Sequence, residues 1–81
     1  MTIRVRFWSY FKDFAGGEAM AETLPEGTTV GELHARLMER LPKLREFQKS
    51  TLVAVGVDYA RPEQVLKDGD EVSFFPPVQG G

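Results

Sequence analysis

Residues 29–42 read TVGELHARLMERLP, and they are the clearest helix in the chain. Val30, Leu33, Leu37 and Leu41 recur at the spacing that makes one stripe on a helix surface. Thr29 and Glu32 fit a capping box, each side chain satisfying a free backbone donor of the first turn. Glu32 also precedes Arg36 at the spacing of a favourable surface ion pair. Arg40, Lys43 and Arg45 suit the negative end of the helix dipole, and Pro42 stops the helix near Leu41. An amphipathic helix must bury its stripe, and nothing in the chain but one face of a sheet can cover this one.

Upstream, TIRVRFWSY (2–10) alternates. Ile3, Val5 and Phe7 fall on one face; Arg4, Arg6, Trp8 and Tyr10 fall on the other. In FKDFAGG (11–17), Phe11 and Phe14 share one helical turn, and Gly16-Gly17 breaks it. Ala19–Leu24 reads as a second strand, forming a hairpin with Ile3–Tyr10 across a long connection. Downstream, KLREFQKS (43–50) is polar, with Leu44 and Phe47 as anchors. TLVAVGV (51–57) is apolar and β-rich, an interior strand. Gly56 weakens it or admits a neighbouring backbone. DYAR (58–61) supplies a short partner strand. PEQVLKDGD (62–70) is turn-rich, with Val65 and Leu66 packing down. EVSFFP (71–76) is the last strand, with Val72 and Phe74 on one face and Ser73 and Phe75 on the other. Pro76 and Pro77 then exclude both ladder and helix.

The order β-β-α-β-β predicts an α+β fold: a β-grasp roll with a mixed sheet and one main helix packed on one face. The first and last strands are expected side by side at its centre, their parallel pairing made possible by the crossover. Residues 1–75 form this domain and 76–81 an extended C-terminal tail.

Composition removes several functions. The chain has 81 residues, no Cys and a single His. That excludes a disulfide framework, a thiolate metal site, a thiol nucleophile and a multi-histidine metal site. The net charge is −2 with scattered Lys and Arg, which argues against an electrostatic nucleic-acid binder. The opening residues carry charges every few positions, unlike a signal peptide. No run approaches a membrane span of roughly 20 apolar residues. The expectation is a cytoplasmic domain with no nucleic-acid or membrane partner. No acid–base, nucleophile or metal constellation points to a stand-alone enzyme.

Two features point instead to a partner. If Ile3, Val5, Phe7, Val72 and Phe74 face the helix, Trp8 and Phe75 meet on the open sheet face, and Tyr10 and Tyr59 can extend the patch. A contiguous exposed aromatic patch marks an interface, unless KLREFQKS folds over it. The second feature is the tail, FPPVQGG (75–81). Its prolines stiffen it, and it can reach about 20 Å beyond the last strand. Gly80-Gly81 admits close backbone approach and leaves the terminal acyl carbon unhindered. Other candidates keep two readings each. His34 borders the apolar stripe as a packing residue or a surface one. Asp68, Asp70 and Glu71 form a solvated turn or an acidic contact for a basic enzyme. Arg4 and Arg6 are rim charges of the interface or a plain solvated edge.

LKDGDEVSFFPPVQGG (66–81) closely resembles the end of the small-subunit family of molybdopterin synthases, ubiquitin-like sulfur carriers. RVRFWSYFKDFAGG (4–17) resembles that family's opening strand, helical turn and glycine, and VAVGVDYA (53–60) its apolar strand leading into a turn. The thiamine sulfur carrier shares the fold and the Gly-Gly end, but not usually the FFPPV segment. The chain departs from the pattern at Gln79, often a small hydroxyl residue, and at Gly56, commonly Asn.

The resemblance implies a cycle run by other proteins. An adenylating enzyme of the ubiquitin-activating type, using ATP and Mg²⁺, activates the Gly81 carboxylate. A sulfurtransferase supplies the sulfur that turns it into a thiocarboxylate. The tail then enters the large catalytic subunit of the synthase and gives sulfur to a pterin precursor. Gly81 and Gly80 would carry the chemistry; Trp8, Phe75, Pro76, Pro77, Val78 and Gln79 would bind the partner. No cofactor or metal would be bound by this chain. A carrier for another acceptor (thiamine thiazole, a cysteine precursor or tRNA) and a non-covalent β-grasp module are the alternatives.

Overall fold

The computed structural model describes residues 1–77. In chain order the elements are β1 (Thr2–Phe7), α1 (Phe11–Ala15), β2 (Ala19–Thr23), α2 (Val30–Arg40), α3 (Pro42–Arg45), β3 (Leu52–Val55), β4 (Asp58–Tyr59) and β5 (Glu71–Phe75). They build a five-stranded sheet in the order β2-β1-β5-β3-β4. β1 and β5 run parallel near its centre, with Val5 beside Val72 and Phe7 beside Phe74. The other pairs are antiparallel.

The period-two pattern decides which side is core. Ile3, Val5, Phe7, Val72 and Phe74 are buried together with Val30, Leu33 and Leu37 of α2. Met38 joins them, widening the stripe beyond its expected members, while Leu41 is only partly buried. Truncating a central member leaves a cavity that close-packed neighbours fill only in part. Leu37→Ala is therefore expected to lower unfolding stability by about 3 kcal/mol, measured as the shift in urea midpoint at constant slope.

The capping box forms at the start of α2. The Thr29 N–H donates to Glu32 Oε1 at 2.9 Å, and the Glu32 N–H donates to Thr29 Oγ1 at 3.2 Å. The first two helical N–H groups are satisfied from elsewhere: Val30 donates to the Gln64 carbonyl and Gly31 to the Pro62 carbonyl, each at 2.9 Å. This contact explains Gly31, since a Cβ there would lie 3.1 Å from Pro62 Cβ and 3.2 Å from its carbonyl oxygen. The capping role takes Glu32 away from Arg36. Among the described residues the ion pairs are Arg4–Glu71, Arg6–Glu71 and Arg40–Glu22. At the other end, Arg45 Nη2 donates to the Met38 carbonyl at 3.2 Å, one of the free acceptors of a helix terminus.

Three expectations need correction. Tyr10 does not share the open face with Trp8. Ser9 adopts a left-handed backbone (φ 55°), which breaks the alternation and swings Tyr10 onto Phe11, Phe14 and Phe47. Gly56 neither weakens a strand nor admits a backbone. It takes φ 62° in the β3–β4 turn, with open space where a Cβ would point. Asn tolerates that conformation better than most residues with side chains, so Gly in place of Asn preserves the turn. Finally, Leu66 is buried but Val65 is 53% exposed, its backbone making an isolated bridge to Thr29 outside the sheet.

Candidate functional site

Parallel pairing of β1 and β5 sets the geometry of the open face. Arg6 lies beside Ser73 and Phe7 beside Phe74, so the next residues, Trp8 and Phe75, are neighbours at the strand ends. The Trp8 N–H donates to the Phe74 carbonyl at 3.1 Å, extending the ladder by one bond. The two rings stack with centroids 5.6 Å apart and planes 15° from parallel. The Arg6 guanidinium sits 4.7 Å from the Trp8 ring centroid. Such a cation–π contact contributes about 0.5–1 kcal/mol where exposed. Arg4 and Arg6 both reach Glu71 Oε1, at 3.7 and 3.8 Å. The result is a continuous row of Arg4, Glu71, Arg6, Trp8 and Phe75. Arg4 and Arg6 thus share one carboxylate, Glu71, along this face.

The floor of the face is small. Ser73 and Ala54 are opposite one another and only 5% and 6% exposed. Leu52 stands beside Phe75, and Tyr59, opposite Ala54, keeps 75% of its surface exposed. Large side chains surround this floor and leave little of it exposed. KLREFQKS does not cover it. Part of that segment is α3, and Phe47 stacks with Phe14 and tilts on Phe11 at the core. The row around Arg6 and the small floor were not singled out from sequence. Their signal is there in the alternation of β5, where Ser73 separates Glu71 from Phe75.

The acidic turn is largely engaged in the fold. Asp68 Oδ1 accepts the Thr2 N–H at 2.7 Å, and Asp70 Oδ2 accepts the Lys67 N–H at 2.8 Å. Among the described residues no group of His, Cys, Asp or Glu could hold a metal ion. Nor is any helix among them long and apolar enough to cross a membrane.

His34 packs between helix and sheet, its ring 5.2 Å from that of Phe74. Its Nε2 is shut off from solvent and finds no hydrogen-bond partner among the described residues, and burial holds its pKa below the ordinary 6.5. The unfolded chain therefore binds a proton on His34 more readily than the folded one. By linkage, stability is full above pH 6.5 and falls as pH drops from there through the lowered value. Urea midpoints at pH 7.5 and 5.5 should show this loss in the wild type and a smaller one in His34→Leu.

Pro76 and Pro77, both partly buried, carry the chain out of β5 next to the Trp8–Phe75 stack. Val78, Gln79, Gly80 and Gly81 lie outside the described residues.

A mixed sheet with parallel central strands, one helix across it and an aromatic open face defines a ubiquitin-like β-grasp domain. The chain belongs to the ThiS family, which matches residues 5–81. It is 32% identical to the molybdopterin synthase sulfur carrier subunit of Chlamydomonas reinhardtii over the whole of both chains. A Pyrococcus furiosus protein described as a molybdopterin converting factor, subunit 1, superposes with a TM-score of 0.87 at 30% identity, over 96% of this chain and 99% of that one. Subunits 1 and 2 of the molybdopterin-converting factor of Helicobacter pylori have been solved as a complex. A chain of that complex matches with a TM-score of 0.73 at 28% identity over the full length of both.

Proposed function

We propose that the chain is a sulfur carrier, the small subunit of a molybdopterin synthase, with Gly81 as the residue that bears the sulfur. The observation that carries this is the open face: a stacked Trp8–Phe75 pair stands where β5 leads into the proline-stiffened tail. A partner gripping that pair receives the tail beside it. The relatives' shared description as sulfur carrier subunits supports the reading, as does the solved complex of two factor subunits.

The chemistry asks little of this chain's side chains. A free carboxylate resists nucleophilic attack. Transfer of AMP from ATP, with loss of pyrophosphate, makes Gly81 a mixed anhydride. A sulfur nucleophile delivered by a sulfurtransferase displaces AMP, leaving a thiocarboxylate. Its soft sulfur then bonds to a side-chain carbon of the pterin precursor in the large subunit, displacing an oxygen from that carbon, and water cleaves the acyl–sulfur bond, leaving the sulfur on the pterin and regenerating the carboxylate. ATP and Mg²⁺ are handled by the adenylating enzyme. This chain contributes a narrow, unhindered end and the surface that positions it.

The test is reconstitution. Thiocarboxylated chain, mixed with the large subunit and the pyranopterin phosphate precursor, should yield the dithiolene product and return the carboxylate form. Sulfur transfer only to a thiazole precursor, a cysteine precursor or tRNA would assign the carrier to another acceptor. No transfer to any of them would leave a non-covalent interaction module.

A further inference from the structure

A cleft of about 570 Å³ lies between the first turns of α2 and the β3–β4 edge. Its floor includes Val30 and Val53 with the half-buried His34 ring beside them, and the exposed Gln48, Lys49 and Pro62 form its rim. An apolar floor with a few converging polar groups is the usual make-up of a binding cleft of this size. Its charge is one-sided. The chain carries 12 Asp and Glu against 10 Lys and Arg, yet no carboxylate of the described residues lines the cleft. Lys49 belongs to none of the ion pairs among the described residues.

The cleft is continuous with the open face. Leu52 and Tyr59 line it, and their register partners, Phe75 and Ala54, place both along the open side of the sheet. Only the two-residue strand β4 separates the surfaces. A protein that covers Trp8 and Phe75 reaches the cleft by passing round that short edge.

We propose that this cleft receives a carboxylate side chain set in an apolar segment of the same protein partner that covers the Trp8–Phe75 face. The proposal rests on the docking reading given above. The apolar floor takes the body of the segment, and Lys49 meets its charge at the rim. A paired charge at the edge of an interface acts mainly on encounter rate and salt dependence, and its reversal creates repulsion.

The test measures binding of the intact chain to the large synthase subunit of the same organism, by calorimetry at low and moderate salt. The variants are Lys49→Glu, Lys49→Met and Trp8→Ala. Lys49 is exposed, so its variants should retain the wild-type amide spectrum. The expected result for Lys49→Glu is at least about tenfold weaker binding with a shallower salt dependence; Lys49→Met should fall between it and wild type. Trp8→Ala should weaken binding with the salt dependence unchanged. On complex formation, amide signals of residues 30–34 and 48–53 should shift in the wild type and not in Lys49→Glu. If Lys49→Glu binds within twofold of wild type while Trp8→Ala is weak, the cleft proposal is overturned and the docking reading stands. If the wild type does not bind, or Trp8→Ala is as tight as wild type, the docking reading fails and this inference with it.

Discussion

Deleting Gly81 is expected to abolish sulfur loading while leaving the fold intact. Among the described residues every buried member of the core lies at or before Phe74, and the fold is expected to survive loss of the last residue. Its loss would leave Gly80 as the terminal carboxylate, one residue short. An extended chain advances about 3.3–3.6 Å per residue, and catalytic groups need their targets within hydrogen-bond reach. A carboxylate withdrawn by one residue falls outside it. Adenylation, followed as pyrophosphate release with the cognate activating enzyme, should drop to background, while the urea midpoint should match wild type. Normal adenylation of the shortened chain would show that the enzyme does not gauge the length of the tail.

The second large effect concerns the open face. Trp8→Ala removes the stack on Phe75 and the platform for Arg6; Phe75→Lys places a charge where the partner's apolar surface should sit. Truncation of aromatic anchors at the centre of an interface costs about 2 kcal/mol or more. Affinity for the large subunit should therefore fall by about 30-fold or more. Trp8 is 39% exposed and outside the buried core, so thermal stability should change far less. Unfolding of both variants would mean that the pair holds the domain together rather than docking a partner.

The helix, its cap and the inward faces of β1 and β5 could be read from sequence because each follows a local period. The same alternation placed Trp8 and Phe75 together once the first and last strands were taken as neighbours. Tyr10 escaped because a single left-handed residue, Ser9, ends the period, and Ser rarely announces that conformation. Val65 escaped because an apolar residue in a turn segment carries no periodic signal, and its bridge to Thr29 spans distant parts of the chain. The helix stripe missed Met38 because it was drawn too narrow; a core-facing stripe is about 100° wide or more. The His34–Lys49 cleft was not legible, since it joins α2, the α3–β3 connection and the β4 edge. Nothing in their separate sequences sets them side by side.

The most direct measurement is the intact mass of the protein after incubation with the activating enzyme, ATP and a sulfur source, with the modified residue mapped by fragmentation. The account predicts replacement of one oxygen by one sulfur, located at Gly81. An unchanged mass, with the tail complete and the same enzyme active on a proven carrier, would contradict it.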